Sequence, residues 1–392
     1  MDKSFASRLI HLGEKSPKSV SATKSLPISM TSVFVFDDVE TLDTVYEGEA
    51  EGYIYTRNGN PVHDALAEIM FHIEEGEDAL VYSSGMAAIS LSILSQVRAG
   101  DHIIAANVLY GGSFQFIKTE LARFNISVTF VDPVTEDISG YFRPNTRVVY
   151  LETISNPLME VIDLVKIAEV THRFGAKLIV DNTFATPVIC QPLLLGADIV
   201  AYSATKYLCG HSDVTAGIVV SNKETIKQIY SIGLLYGPTM SPFDAWLVVR
   251  SLRTLELRII QHSSNALKLA SYLVKNDKIS QVYYPGLPSS PTYEVAKRIF
   301  NNNLFGGMLS IDLVNGEKGA YDLIRNLESI KFVPSLAGVS TSVSYPAKTS
   351  HRALNEEELR KANISKGLIR ISTGLENVDD IIAEFEKALK KL

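Results

Sequence analysis

From residue 61 onward the chain alternates short apolar runs with helix-spaced segments, and this constrains the fold more than any other feature. "NPVHDALAEIMFHIE" has helical spacing, with Leu66, Ile69, Met70 and Ile73 on one face and Pro61 at a first turn after Asn60. "DALVYSS" then reads as a strand, "GMAAISLSILSQV" as a helix and "GDHIIAAN" as a strand. "GGSFQFIKTELARF" reads as a helix and "ISVTFVD" as a strand. "TRVVYLETI" and "AKLIVDNT" are strands on either side of the helix "DLVKIAEVTHRFG", and "ADIVAYSA" is one more strand. Strands this short and continuously apolar belong inside a mostly parallel sheet with helices on both faces, the α/β class.

Near residue 240 the texture changes. "MSPFDAWLVVRSLRTLELRIIQHSSNALKLASYLV" reads as one long helical stretch. It leads through "GGMLSIDLV" and "YDLIRNL" to a closing "VDDIIAEFEKALKKL", a smaller α+β unit. The expected division is an irregular N-terminal segment over 1–60, a large unit over 61–250 and a small C-terminal unit over 251–392. The first has little core of its own and is expected to pack on something else, such as another subunit. The net charge of −7 comes without a basic stripe interleaved with aromatics, so nucleic acid is not an expected partner. Cys190 and Cys209 are the only cysteines; they form no disulfide framework, read as packed thiols and fit a reducing cytoplasm. The opening "MDKSFASRLIHLGEKS" has no long apolar run, so no secretory signal is expected. Later apolar runs are broken well short of a membrane span.

In open α/β sheets, ligands sit beyond the carboxyl ends of the strands. What stands there is specific. "SSGMA", Ser83 to Ala87, turns from strand into helix and offers hydroxyls and backbone N–H groups to an anion. Tyr110 follows the second strand, Asn156 follows "VVYLET", and Asp181 closes "KLIVD". Ser203, Thr205 and Lys206 follow "ADIVAY". A lone lysine after a strand is ordinarily a solvated residue, and a lone aspartate there is often a helix cap. An anion cradle, an aromatic, an acid and an amine at successive strand ends together suit pyridoxal 5'-phosphate. That cofactor needs a lysine for its aldehyde and an acid for its ring nitrogen. Lys206 is the amine, Asp181 the acid, and Ser203 and Thr205 can donate to the phosphate. Desolvation and nearby positive charge are expected to lower the lysine's pKa. No metal-ligand set is read from the sequence.

The stretches "YIYTRNGNP", "SSGMAA", "LYGGS", "ETISNP", "VDNTFATP", "SATKYLCGHSDVTAG" and "GLIRISTGLE" carry a wider resemblance across nearly the whole chain. The chain resembles the transsulfuration (Cys/Met metabolism) family of pyridoxal-phosphate enzymes, which includes cystathionine γ-synthase, cystathionine γ-lyase and methionine γ-lyase. The resemblance implies fold type I, a large domain with a mostly parallel sheet plus a smaller C-terminal α+β domain. It implies that Lys206 binds the cofactor and moves protons between substrate carbons. It implies that Asp181 pairs with the ring nitrogen and that Tyr110 stacks on the ring and serves as acid or base toward the leaving group. Gly85, Met86, Ser203 and Thr205 hold the phosphate, joined by Tyr55 and Arg57 from a neighbouring subunit. Asn156, Ser335 and Arg370 bind the substrate carboxylate. A homotetramer, built as a dimer of dimers with shared active sites, goes with this arrangement. His211 reads equally as a structural histidine and stays outside the site.

Elimination from a sulfur amino acid such as cystathionine, methionine or homocysteine is the expected activity; γ-replacement by a synthase or acyl-homoserine sulfhydrylase uses the same residues. Three departures bear on substrate. Gly112 stands where methionine γ-lyases of this family usually carry cysteine, and Leu235 and Tyr236 where they tend to carry a Lys-Asp pair. Ser340 stands where cystathionine enzymes usually carry glutamate. A dinucleotide oxidoreductase is disfavoured because the first strand–helix junction lacks G-x-G-x-x-G. A scaffold without activity is disfavoured because both Lys206 and Asp181 are present.

Overall fold

The computed structural model describes residues 23–352 and 354–392. Part of the N-terminal segment singled out above, residues 1–22, therefore lies outside the described residues. The first sheet has seven strands: β1 (Asp78–Tyr82), β2 (His102–Ala106), β3 (Ser127–Val131), β4 (Thr146–Glu152), β5 (Lys177–Asp181), β6 (Ile199–Ser203) and β7 (Gly217–Ser221). Their order across the sheet is β1-β7-β6-β5-β4-β2-β3. Neighbours from β6 through β3 pair in parallel, whereas β7 runs antiparallel to both β1 and β6. β7 was not foreseen: "GIVVS" follows the motif-rich turn after β6 with no helix between, which an antiparallel return allows. Every residue of β2 and of β7 is buried, as expected of strands covered on both faces.

Helices supply that cover. Pro61–Glu74 starts at Asn60, whose side chain accepts from the Val62 N–H, and buries Val62, Leu66 and Met70 against β1 and β7. Gly85–Gln96 lies on β6 and β7, and Leu164–Arg173 lies on β5. The stretch 111–123 is not one regular helix: Gly111–Gln115 runs into a π-helical turn, Phe116–Glu120, before Leu121–Arg123. The expected long helix after residue 240 is also divided, into Pro242–Leu252 and Leu255–Leu273. Buried Arg258 accounts for the break. Its guanidinium donates to the Ser251 carbonyl at 3.1 Å, capping the first helix, and also to the carbonyls of Tyr207 at 2.7 Å and Leu208 at 3.2 Å. Those last two bonds tie the turn directly after Lys206 to the helix pair.

The second sheet has five strands, β8 (Ile279–Tyr283), β9 (Met308–Leu313), β10 (Lys331–Phe332), β11 (Ser342–Ser344) and β12 (Leu368–Ser372), in the order β10-β11-β12-β9-β8. Only β10 and β11 pair in parallel. The helices Gly316–Asn326 and Val378–Leu389 pack together beside it. Among the described residues no helix is long and apolar enough to cross a membrane.

Candidate active site

A cavity of about 580 Å³ opens at the carboxyl ends of β4, β5 and β6, closed on its far side by loops of the second sheet. Its lining includes Gly85, Met86, Tyr110, Asn156, Asp181, Ser203, Thr205, Lys206, Ser335 and Arg370, which are residues singled out from the sequence. β5 and β6 are neighbours, so the acid that ends one and the amine that follows the other come to the same wall.

Lys206 sits in the turn after β6, and its Nζ donates to Ser335 Oγ at 2.9 Å. Burial, and then the positive charge of Arg370, pull its pKa down from the ordinary lysine range to about 8. This is the direction and the pair of causes expected from the sequence. Asp181 is buried, and its Oδ1 accepts from the Thr183 N–H at 2.9 Å. Burial holds its carboxyl above the usual range, and the bonds from Thr183 oppose that. A cationic N–H donor, such as a protonated ring nitrogen, is the partner that suits a carboxylate held this way.

The first turn of Gly85–Gln96 forms an anion cradle. Ser84 caps the helix, its hydroxyl accepting from the Ala87 N–H, and the N–H groups of Gly85 and Met86 face the cavity end as the first two helical residues. Gly85 is required by space: a Cβ there would stand 2.6 Å from that of Ser203. The cradle can therefore approach β6 closely enough to share an anion with Ser203. The Thr205 hydroxyl accepts from the Ala216 N–H at 2.9 Å and donates its own proton to the Ala216 carbonyl at 3.3 Å, a longer bond that an anion's oxygen can replace. Donor set, amine and acid together fit pyridoxal phosphate.

Arg370, on β12, is buried, and its Nη1 donates to Asn156 Oδ1 at 2.8 Å. Its Nε is buried without a hydrogen-bond partner among the described residues. Desolvation lowers its pKa to about 10, leaving it charged at neutral pH. A charged guanidinium lining a cavity is built to receive a carboxylate.

Tyr110 carries two glycines after it, and both answer to space, not to turn conformation. A Cβ on Gly111 would stand 1.8 Å from the carbonyl oxygen of Ser350, and one on Gly112 would stand 2.6 Å from Cε1 of Tyr110 itself. The loop that carries Ser350 also brings Lys348, Thr349 and Arg352 to the cavity.

Tyr55 and Arg57 do not reach this cavity. Arg57 donates to the Leu234 carbonyl at 2.9 Å and lies over the Tyr55 ring at 5.7 Å, on another face of the chain. Of the departures, Ser340 does not line the cavity, and Leu235 and Tyr236 are exposed beside Arg57. Cys190 and Cys209 are buried free thiols. Sequence reasoning missed Glu152, Thr183, Lys348 and Arg352 as lining residues. For Glu152 a signal existed: like Asp181, it is an acid at the end of a continuously apolar strand.

A buried acid and a depressed amine on adjacent strand ends, with a helix N-terminus beside them, define a pyridoxal-phosphate enzyme of the α/β type. The comparisons specify which branch. The sequence profile described as Cys/Met metabolism PLP-dependent enzyme matches residues 6–390, and the chain belongs to that family. It is 43% identical to an L-methionine gamma-lyase of Porphyromonas gingivalis, over 100% of this chain and 98% of that one. It is 39% identical to a cystathionine beta-lyase of Lactococcus lactis, over 99% of each chain. The crystal structure of a cystathionine gamma synthase from Xanthomonas oryzae superposes with a TM-score of 0.88 at 34% identity, covering 94% of this chain and 93% of that one.

Proposed function

We propose that this enzyme is a lyase that removes the sulfur substituent of a sulfur amino acid, with cystathionine, methionine and homocysteine as the candidate substrates, giving a 2-oxo acid, ammonia and a thiol. One observation carries the reading: the Lys206 amine, with a pKa of about 8, shares a cavity with the buried, charged Arg370 guanidinium. Relatives named as methionine and cystathionine lyases support elimination. The synthase likeness keeps γ-replacement as the second reading.

In this reading the N–H groups of Gly85 and Met86 and the hydroxyls of Ser203 and Thr205 hold the cofactor's phosphate. Asp181 holds the ring nitrogen, Lys206 the aldehyde, and Tyr110 covers the ring face. Bound pyridoxal phosphate supplies an electron-withdrawing ring that takes up the electron pair left at the substrate's α-carbon. Arg370, Asn156 and Ser335 grip the substrate's carboxylate and fix the α-carbon near Nζ of Lys206. Nζ of Lys206 would take the α-proton and, where the sulfur stands on the γ-carbon, a β-proton after passing on the first; with a pKa of about 8 it can both accept and return protons. The Tyr110 hydroxyl gives a proton to the departing sulfur. Gly112 in place of cysteine, beside that ring, speaks for a specificity other than that of a dedicated methionine lyase.

Tyr55 and Arg57 serve a neighbouring subunit's site in this reading, within a homotetramer. Its support is that Met30, Val33, Val35, Tyr55, Leu235 and Tyr236 are apolar or aromatic and exposed on connected segments of the chain. The division at 1–60, 61–250 and 251–392 has its support in the two sheets, drawn from 78–221 and 279–372. A cytoplasmic setting goes with two unpaired thiols.

The test is incubation of the purified enzyme with methionine, homocysteine, cystathionine and cysteine, with 2-oxobutyrate and pyruvate measured. The lyase reading predicts 2-oxo acid from at least one of them. No 2-oxo acid from any, with thioether formed from an acyl-homoserine plus thiol, favours the synthase instead.

A further inference from the structure

Glu152 ends β4 directly opposite Asp181 in the strand register, and both acids line the cavity. Asp181 has an evident partner in the cofactor, and Glu152 does not. What Glu152 does have is the backbone of Tyr110: its Oε1 accepts the Tyr110 N–H at 2.6 Å, across 42 residues of chain. That N–H stands at the start of the short helix Gly111–Gln115, where no carbonyl of the helix can accept it and no side chain caps. The loop around Tyr110 has few other anchors near the ring. His351 meets the Leu109 carbonyl at 3.0 Å, and the Gly111 backbone abuts Ser350. The Tyr110 side chain itself is substantially exposed.

We propose that Glu152 is a positioning residue for the reaction: by accepting the Tyr110 N–H beside Asp181, it fixes the loop that presents the Tyr110 ring and hydroxyl to the cavity. The surroundings favour a neutral carboxyl for this task. Glu152 is buried, Asp181 stands next to it, and burial followed by that neighbouring charge pushes its pKa well above the usual range. Arg370, Tyr150 and the backbone N–H groups of Tyr110 and Asn156 also face it, Arg370 and the two N–H groups opposing the rise. A neutral acid keeps a carbonyl oxygen for the N–H and adds no second negative charge beside Asp181. Glutamine reproduces that oxygen, and methionine of similar size does not.

The proposal rests on Tyr110 working as described under the proposed function, and the experiment separates the two. Hydrogen exchange of the peptide spanning Tyr110 is measured in the apo-protein for wild type, Glu152→Gln and Glu152→Met. Positioning predicts that the Tyr110 amide keeps its protection in Glu152→Gln and exchanges at least ~10-fold faster in Glu152→Met. Steady-state kinetics of the holoenzyme follow in wild-type and Tyr110→Phe backgrounds. Glu152→Met is expected to lower kcat by ~30-fold or more with KM within ~3-fold. Glu152→Gln is expected to recover at least about a third of kcat, and Glu152→Met to add less than ~3-fold loss once Tyr110 is phenylalanine. Unchanged protection in Glu152→Met overturns the proposal, as does loss of protection in Glu152→Gln, a comparison that stands even if the methionine variant does not fold. Fully additive losses with Tyr110→Phe overturn it too, by showing that Glu152 acts elsewhere. If protection follows the prediction while Tyr110→Phe alone leaves kcat unaltered, the role given to Tyr110 fails and the positioning of Tyr110 for the reaction fails with it.

Discussion

Arg370 donates to Asn156 at 2.8 Å across 214 residues of chain, joining the second sheet to the loop after β4 while its own Nε stays buried and unpartnered. The bond orients a guanidinium that has already lost its hydration. Arg370→Lys keeps the charge but cannot offer the fork. We expect it to reduce kcat/KM by about 100-fold, equivalent to about 3 kcal/mol, with most of the loss in KM. Initial-rate kinetics check this; a change confined to kcat would remove Arg370 from carboxylate binding.

The depressed pKa of Lys206 has a consequence for the apo-protein. Its folded pKa, about 8, lies below the ordinary lysine value, so burial disfavours the charged amine. The unfolded chain binds more protons between about pH 8 and the ordinary lysine pKa of ~10.4, and stability rises with pH across that window. Below pH 8 the full penalty is present. Lys206→Met should therefore raise the apo-protein's Tm at pH 7 and lose that advantage by pH 10.5, as read by thermal melts across pH.

Glu74 gives the opposite case. It is buried at the end of its helix, Tyr202 donates to Oε2, and Oε1 makes no hydrogen bond among the described residues. Burial raises its pKa to about 8, above the unfolded value. The folded state then binds more protons between about pH 4.5 and 8, and stability falls as pH rises through that window, by at most ~1.4 kcal/mol per unit. Glu74→Gln should flatten this dependence and exceed wild type above pH 8. Urea unfolding at pH 5, 7 and 9 measures it; parallel curves for the two proteins would show that Glu74 is not the group responsible.

The two glycines after Tyr110 should fail differently. Gly112→Ala puts a methyl against the tyrosine ring, which can move, so kcat should drop about 10-fold with the Tm nearly kept. Gly111→Ala drives a methyl into the backbone carbonyl of Ser350, which cannot yield alone. We expect a loss of ~1–3 kcal/mol of stability from that overpacking. Thermal melts paired with activity assays distinguish the two effects.

The inner parallel strands β2, β5 and β6 were legible in the sequence because burial on both faces makes them continuously apolar, and the strand ends pointed to Asp181 and Lys206. β7 was not legible, because it returns antiparallel from a turn crowded with polar motif residues. The break between Leu252 and Leu255 has no glycine or proline to announce it; it depends on a tertiary bond from Arg258 to Ser251. Glu152 shows in the sequence only as an acid closing a strand; its partner, the Tyr110 N–H, is a backbone group 42 residues away and leaves no signal. Nothing in the sequence explains Gly111, and only the nearness of Ser350 gives its reason.

The central claim is that the Nζ of Lys206 is the amine that binds the cofactor. Borohydride reduction of the purified holo-protein, followed by peptide mapping, measures it most directly. The account predicts a pyridoxyl-phosphate label on Lys206 and on no other lysine. A label on any other residue, with Lys206 unmodified, would contradict it.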